Sequence, residues 1–88
     1  MVNPLTDLDV EEQILVAIER LGLKRFIRIR TAAMNIVSVL KFINTETFVI
    51  ILPVRNTFYN ILKNELSGKK VLFFNSMKLK QDELIIVY

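Results

Sequence analysis

One six-residue segment, Thr47–Leu52, carries five apolar side chains in succession and no charge. A strand with one face in solvent alternates apolar and polar residues, so an unbroken apolar run predicts a strand that is buried on both faces. Pro53 ends the run, because proline cannot donate to a sheet ladder. The rest of the chain must therefore supply strands beside this one and a covering layer on each face of the sheet.

A first helix is predicted over residues 6–22. Thr6 and Asp9 resemble a capping box, Leu5 can pack on Val10, and Gly22 supplies the left-handed stop. The acids in its first turns are interpreted as solvated residues that favour the helix dipole. A half-buried strand follows over residues 24–30, where the alternation is strict. Ile27 and Ile29 lie on one face of that strand, and Phe26, Arg28 and Arg30 lie on the other.

Thr31–Ile43 fits two structures, because its β-branched residues favour a strand whereas its length and apolar spacing favour a helix. The helix is the preferred interpretation. Asn56 or Thr57 is expected to cap a third helix that ends at Gly68. Its inward-facing residues are predicted to be Phe58, Ile61, Leu62 and Leu66.

Two strands end the chain, at residues 70–80 and 82–88, and the short turn between them predicts a hairpin with a lysine-bearing tip. The predicted fold class is therefore α/β (α+β), a single domain over residues 1–88 with a four-stranded mixed sheet. Right-handed crossovers place the second and third helices on one face of that sheet. The opposite face is left to the first helix or to a second subunit.

Composition excludes several classes of function. The chain has no Cys and no His, which removes thiol nucleophiles, disulfides, imidazole bases and most transition-metal sites. Its two glycines, Gly22 and Gly68, form no phosphate-binding loop. We therefore expect no enzyme, no cofactor, no metal and no small-molecule substrate. The scarcity of Cys and Gln is typical of thermophile proteins, whereas seven Asn point the other way.

No membrane span is expected, because the longest nearly uncharged apolar run, Thr47–Val54, is far shorter than the roughly 20 residues that cross a bilayer. The acidic amino-terminal segment is unlike a secretory leader. These features predict a cytoplasmic protein.

Charge is distributed unevenly along the chain. Residues 1–19 contain five acids and no base, whereas residues 20–88 contain all twelve Lys and Arg and only four acids. A basic body of this kind attracts phosphate, although a lysine-rich solvated surface gives the same count. Asp82 and Glu83 are interpreted as solvated charges at a turn.

The candidate phosphate-binding residues lie at the edges of the predicted strands and helices. Alternate strand residues point the same way, so paired bases on one strand face can contact neighbouring phosphates. The set is Arg28, Arg30, Arg55, Lys69, Lys70, Lys78 and Lys80. Phenylalanines in the strands are expected to be core residues, and no sequence-specific readout is expected.

The string FIRIRTAAMNIVSVLKFI at Phe26–Ile43 resembles the start of the Alba superfamily of archaeal chromatin proteins. In that family a strand leads into a basic pair, a short turn and a helix that opens with Met-Asn. Met34 and Asn35 match the Met-Asn, and Arg30 matches the first basic position, whereas Thr31 replaces the second. The resemblance covers about residues 24–88. It implies a nucleoid-associated homodimer that binds duplex DNA or RNA largely without sequence preference.

Three features depart from the family pattern. The family's long basic hairpin arm, which reaches the minor groove, would match the region around Lys78 to Lys80, but this turn is shorter. The segment ILPVRNTF occupies the place of a Gly-flanked, Arg-rich loop but offers Arg55 as its only base. The acidic first helix has no counterpart, and it is expected to pack on the sheet or on the partner subunit, or to shield the basic surface. The alternative function is a protein-interaction module of the same fold that does not bind nucleic acid.

Overall fold

The structure is a computed structural model that describes residues 4–30, 36–56 and 58–88. It contains a 3-10 turn at Pro4–Asp7, helices α1 (Val10–Leu21), α2 (Ile36–Phe42) and α3 (Tyr59–Glu65), and strands β1 (Phe26–Arg30), β2 (Thr47–Pro53), β3 (Lys70–Ser76) and β4 (Glu83–Val87). The predicted order of helices and strands is confirmed. The chain is a small α+β domain with an open, mixed, four-stranded sheet.

The strands lie side by side in the order β1-β4-β2-β3. β2 and β3 are parallel, and β4 is antiparallel to both β1 and β2. The predicted hairpin of β3 and β4 is therefore wrong, because β2 lies between them. All five residues of β4 are buried, and a strand buried on both faces belongs in the interior of a sheet, with a neighbouring strand on each side.

Apolar side chains form one core on each face of the sheet. On one face, α2 and α3 pack through Ile36 and Leu62, together with Ile43 and Leu66, which directly follow the two helices. On the other, α1 packs through Val10, Ile14 and Ala17. β2 contributes to both cores, as its unbroken apolar run predicted: Phe48, Ile50 and Leu52 face α2 and α3, and Val49 and Ile51 face α1. Of the two coverings expected for the second face, the structure has the first helix.

The first helix begins later than predicted. Residues 4–7 form a separate 3-10 turn, Thr6 is buried rather than capping, and α1 starts at Val10 after Asp9. Gly22 ends α1 with a φ of 66°, a left-handed conformation that glycine adopts without steric cost.

The third helix is shorter than predicted, and the second helix is described only from Ile36. The described part of Thr31–Ile43 is helical from Ile36, so helix is confirmed there, whereas the proposed Met34 and Asn35 match lies outside the described residues. The Oδ1 of Asn56 accepts a hydrogen bond from the N–H of Phe58 at 2.6 Å, before α3; the other candidate cap, Thr57, also lies outside the described residues. Among the described residues no helix is long and apolar enough to cross a membrane.

One residue of α3, Ile61, was predicted to face inward but is exposed. Leu62 and Leu66 are buried and Phe58 is half-buried, but Ile61 is 51% exposed. Phe58, Leu62 and Leu66 follow one another at intervals of four residues and share the inward face, whereas Ile61 lies about 100° around the helix from Leu62.

Candidate nucleic-acid interface

Five of the seven predicted phosphate-binding residues lie at one end of the sheet. Strands β1, β2 and β3 run in the same direction and finish at this end, where β4 begins. Arg30 is the last residue of β1 and pairs with Glu83, the first residue of β4. Arg55 follows the end of β2, and Lys78 and Lys80 follow the end of β3. We call Arg28, Arg30, Arg55, Lys78 and Lys80 the basic end.

The loop over residues 77–82, which we call the lysine loop, carries Lys78 and Lys80. One buried side chain and two hydrogen bonds hold it in place. Leu79 is buried in the core beneath α1, so the lysines on either side of it remain at the surface. The Oγ of Ser76 accepts a hydrogen bond from the N–H of Lys78 at 3.1 Å, and the side chain of Glu83 accepts one from the N–H of Lys80 at 3.2 Å. These bonds fix the backbone positions of Lys78 and Lys80, from which the two side chains extend.

The same loop crosses the end of β2 and reaches the turn that holds Arg55. The side-chain amide of Gln81 donates to the carbonyl oxygen of Val54 at 3.2 Å. Arg55 has a φ of 65°, in the left-handed region that non-glycine residues seldom occupy. The tight turn thus keeps Arg55 beside the lysine loop instead of allowing the strand to continue outward.

Glu83 lies within this group of cations, and its predicted role as a solvated charge is wrong. It is 9% exposed, and its Oε2 lies 3.1 Å from the Nε of Arg28. Arg28 and Arg30 occupy the same sheet face as Glu83, because they are opposite Ile85 and Glu83 in the register and that face is the one beneath α1. The buried carboxylate therefore holds Arg28 in place and neutralises part of its charge.

The remaining four cations are exposed, and within the described ranges none of them forms an ion pair. The basic end therefore contains five cations, and the nearby carboxylates of Asp82 and Glu83 offset two of these charges. Four strands at a spacing of about 4.8 Å make this end about 14 Å wide. An exposed group of this width can contact several phosphates of one backbone at the same time.

Lys69 and Lys70 are not brought to this group. Lys70 is the first residue of β3, so it lies about 20 Å from the end where the strand finishes. The Nζ of Lys69 donates to the carbonyl oxygen of Thr45 at 3.0 Å and lies 3.3 Å from the Oε1 of Glu46. Both lysines therefore belong to the opposite end of the sheet.

The described start of the acidic amino-terminal segment, residues 4–12, lies beside the basic end. The N–H of Met77 donates to the carbonyl oxygen of Thr6 at 3.5 Å, which places the 3-10 turn next to the lysine loop. Asp7, Glu11 and Glu12 are exposed on this side of the molecule. In the described part of the chain they form no ion pair with the basic end, so α1 borders the cations without covering them.

The strand phenylalanines divide between core and surface. Phe48 and Phe74 are buried, as predicted, whereas Phe26 is 53% exposed on the same strand face as Arg28. β1 is an edge strand of the described sheet, and α1 packs mainly on β2 and β4. The alternation of β1 located this exposed face, but the sequence alone did not indicate that α1 leaves it uncovered.

The described residues contain no group of three His, Cys, Asp or Glu side chains that could hold a metal ion. Comparison with known proteins gave no match: no protein-family model, no curated protein and no solved structure matches this chain.

Proposed function

We propose that this chain is a small, dimeric nucleic-acid-binding protein that contacts the phosphate backbone through the basic end, largely without sequence preference. The convergence of Arg28, Arg30, Arg55, Lys78 and Lys80 at one end of the sheet carries the proposal. The resemblance of Phe26–Ile43 to the Alba superfamily supports it, together with the order of strands and helices after residue 24. The chain is accordingly proposed as a divergent, nucleoid-associated member of that superfamily.

The mechanism is counterion release. Each phosphate that a lysine or arginine neutralises releases about 0.9 of a condensed cation from duplex DNA. Among the described residues, Arg30, Arg55, Lys78 and Lys80 form no ion pair that binding would have to break, whereas Arg28 is paired with Glu83. Arginine can also offer two parallel N–H groups to one phosphate, which orients the backbone on the sheet end.

Charge reversal at the basic end tests this proposal. We expect Arg30→Glu combined with Lys80→Glu to weaken binding of a short random-sequence DNA duplex on the order of a hundredfold at about 50 mM salt, because two released counterions are lost. Fluorescence anisotropy measures the affinity, and circular dichroism checks that the fold is retained. The loss should be equal for duplexes of different sequence.

Lys63→Glu combined with Lys70→Glu is the matched control. It changes the net charge by the same amount, but Lys63 lies on α3 and Lys70 lies at the opposite end of the sheet. We expect it to retain most of the affinity. Equal losses in the two double variants would reject a localised interface. No binding by the unaltered protein at tens of micromolar would leave the interaction module as the better account.

A further inference from the structure

Among the described residues, the backbone groups on the outer edge of β3 have hydrogen-bond partners near the end of the strand and none near its start. β3 pairs with β2 on one side, and no described strand lies on its other side. On its free side, the carbonyl oxygen of Asn75 accepts a hydrogen bond from the Nε2 of Gln13 at 2.9 Å, and the N–H of Met77 is directed to Thr6. Backbone groups of alternate strand residues point to the same side, so Val71 and Phe73 direct theirs outward as well. The described residues supply no backbone partner to these two.

A cavity lies on each side of this open segment. On the side of α3, Tyr59, Leu66 and Phe73 line a cavity of about 340 Å³, where the Tyr59 and Phe73 rings meet edge to face at 4.7 Å. On the side of α1, Leu21 and Leu72 line a cavity of about 560 Å³. An added strand would place alternate side chains in the two cavities, because successive strand residues point to opposite faces.

Every charged residue that lines these cavities is basic. Lys63 and Lys69 line the cavity beside α3, and Arg20 and Lys70 line the cavity beside α1. Of these four cations, Lys69 forms an ion pair, with Glu46, and the other three form none within the described part of the chain. The apolar side chains therefore lie within a positively charged border, which complements a ligand that carries both apolar and acidic groups.

We propose that the open edge of β3, over residues 70–73, is a docking site for an extended acidic segment of another protein, which adds to the sheet as a fifth strand. Its backbone pairs with the free N–H and C=O groups of Val71 and Phe73, which supplies affinity. Apolar side chains enter the cavity beside Tyr59, and acidic side chains on the other face approach Arg20 and Lys70.

The same observations disfavour the other occupants of this edge. A second copy paired along β3 would bring Arg20, Lys63 and Lys70 of both subunits together, and like charges repel. A single nucleic-acid strand would satisfy the cations and could stack on Tyr59, but a sugar-phosphate backbone has no regular donors for the free carbonyl groups. The free backbone groups therefore favour a peptide.

The test uses an acetylated and amidated peptide of about eight residues in which valine and glutamate alternate, so that one face is apolar and the other acidic. We expect it to slow hydrogen exchange of the Val71 and Phe73 amides by about tenfold or more near saturation, and to shift their NMR signals. A peptide of alternating valine and lysine should bind at least about tenfold more weakly.

The charge-reversal pairs serve as crossed controls. Lys63→Glu with Lys70→Glu should reduce affinity for the acidic peptide by about tenfold or more, and Arg30→Glu with Lys80→Glu should leave it unchanged. Three results would overturn the proposal: no change at Val71 and Phe73 with about 1 mM acidic peptide, stronger perturbation of these amides by oligothymidine, or protection that rises with protein concentration in the absence of peptide. The outcome does not depend on duplex binding at the basic end.

Discussion

Arg55 combines an unfavourable backbone conformation with a position beside the lysine loop. A left-handed conformation costs a non-glycine residue about 1–2 kcal/mol relative to the right-handed one. Arg55 nevertheless adopts it, with a φ of 65°, in the turn that follows β2. This backbone strain lowers the stability of the fold, and strained residues are common at binding sites, which agrees with a phosphate-binding role for the Arg55 side chain.

Arg55→Gly therefore separates stability from binding. We expect the glycine variant to have a free energy of unfolding about 1 kcal/mol higher than that of Arg55→Ala, because only glycine adopts this conformation without a steric penalty. Both variants should lose the same phosphate contact and hence the same fraction of duplex affinity. Urea denaturation and anisotropy measure the two quantities. A glycine variant less stable than the alanine variant would show that the turn is not strained.

The single residues of the site were predictable to different degrees. The alternation of β1 located Arg28 and Arg30 on one strand face, and the structure confirms it. The separation of Lys70 from Arg55 also follows from simple geometry, because the start of β3 and the end of a parallel neighbour lie at opposite ends of a sheet. The burial of Glu83 did not follow, since it depends on which strand lies beside β1.

At the scale of helices and strands, the burial of a segment was easier to predict than which strands lie side by side in the sheet. The uncharged run of β2 and the order of strands and helices were read correctly, because each depends on local periodicity. The predicted hairpin of β3 and β4 was wrong, because strands that are close in sequence need not be neighbours in the sheet. The apolar run of β4 was the available signal: a strand buried on both faces needs two neighbours, and β4 has them in β1 and β2.

Gln13 joins three elements and offers a test at this scale. It is fully buried in α1, and its side-chain amide donates to the carbonyl oxygens of Leu5 and Asn75. We expect Gln13→Leu to lower the free energy of unfolding by about 1 kcal/mol, because the carbonyl oxygens of Leu5 and Asn75 lose their donor, whereas removal of the buried Oε1, which has no partner among the described residues, offsets part of that loss. Hydrogen exchange at Met77 should also accelerate, since the 3-10 turn beside it is no longer held to β3. An unchanged urea midpoint would mean that packing alone fixes this turn.

At the scale of the whole molecule, positive charge is divided between the two ends of the sheet. The basic end has an acidic border where α1 begins, whereas the opposite end carries Lys69 and Lys70 together with Arg20 near the end of α1. A uniformly positive surface would bind phosphate over either end. The division instead predicts that nucleic acid and an acidic peptide occupy different ends of the same sheet.

The salt dependence of duplex binding measures how many cations act together. If the five cations of the basic end each neutralise one phosphate, the slope of log affinity against log salt is about −4.5, whereas the addition of Lys69 and Lys70 gives about −6.3. Two basic ends of a dimer on one duplex double the first value to about −9. Arg30→Glu with Lys80→Glu should make the slope of each bound end shallower by about 1.8, and Lys63→Glu with Lys70→Glu should leave it unchanged. A flat salt response would remove counterion release as the mechanism, and a slope that responds to Lys70 would place the phosphate backbone along the sheet rather than across its basic end.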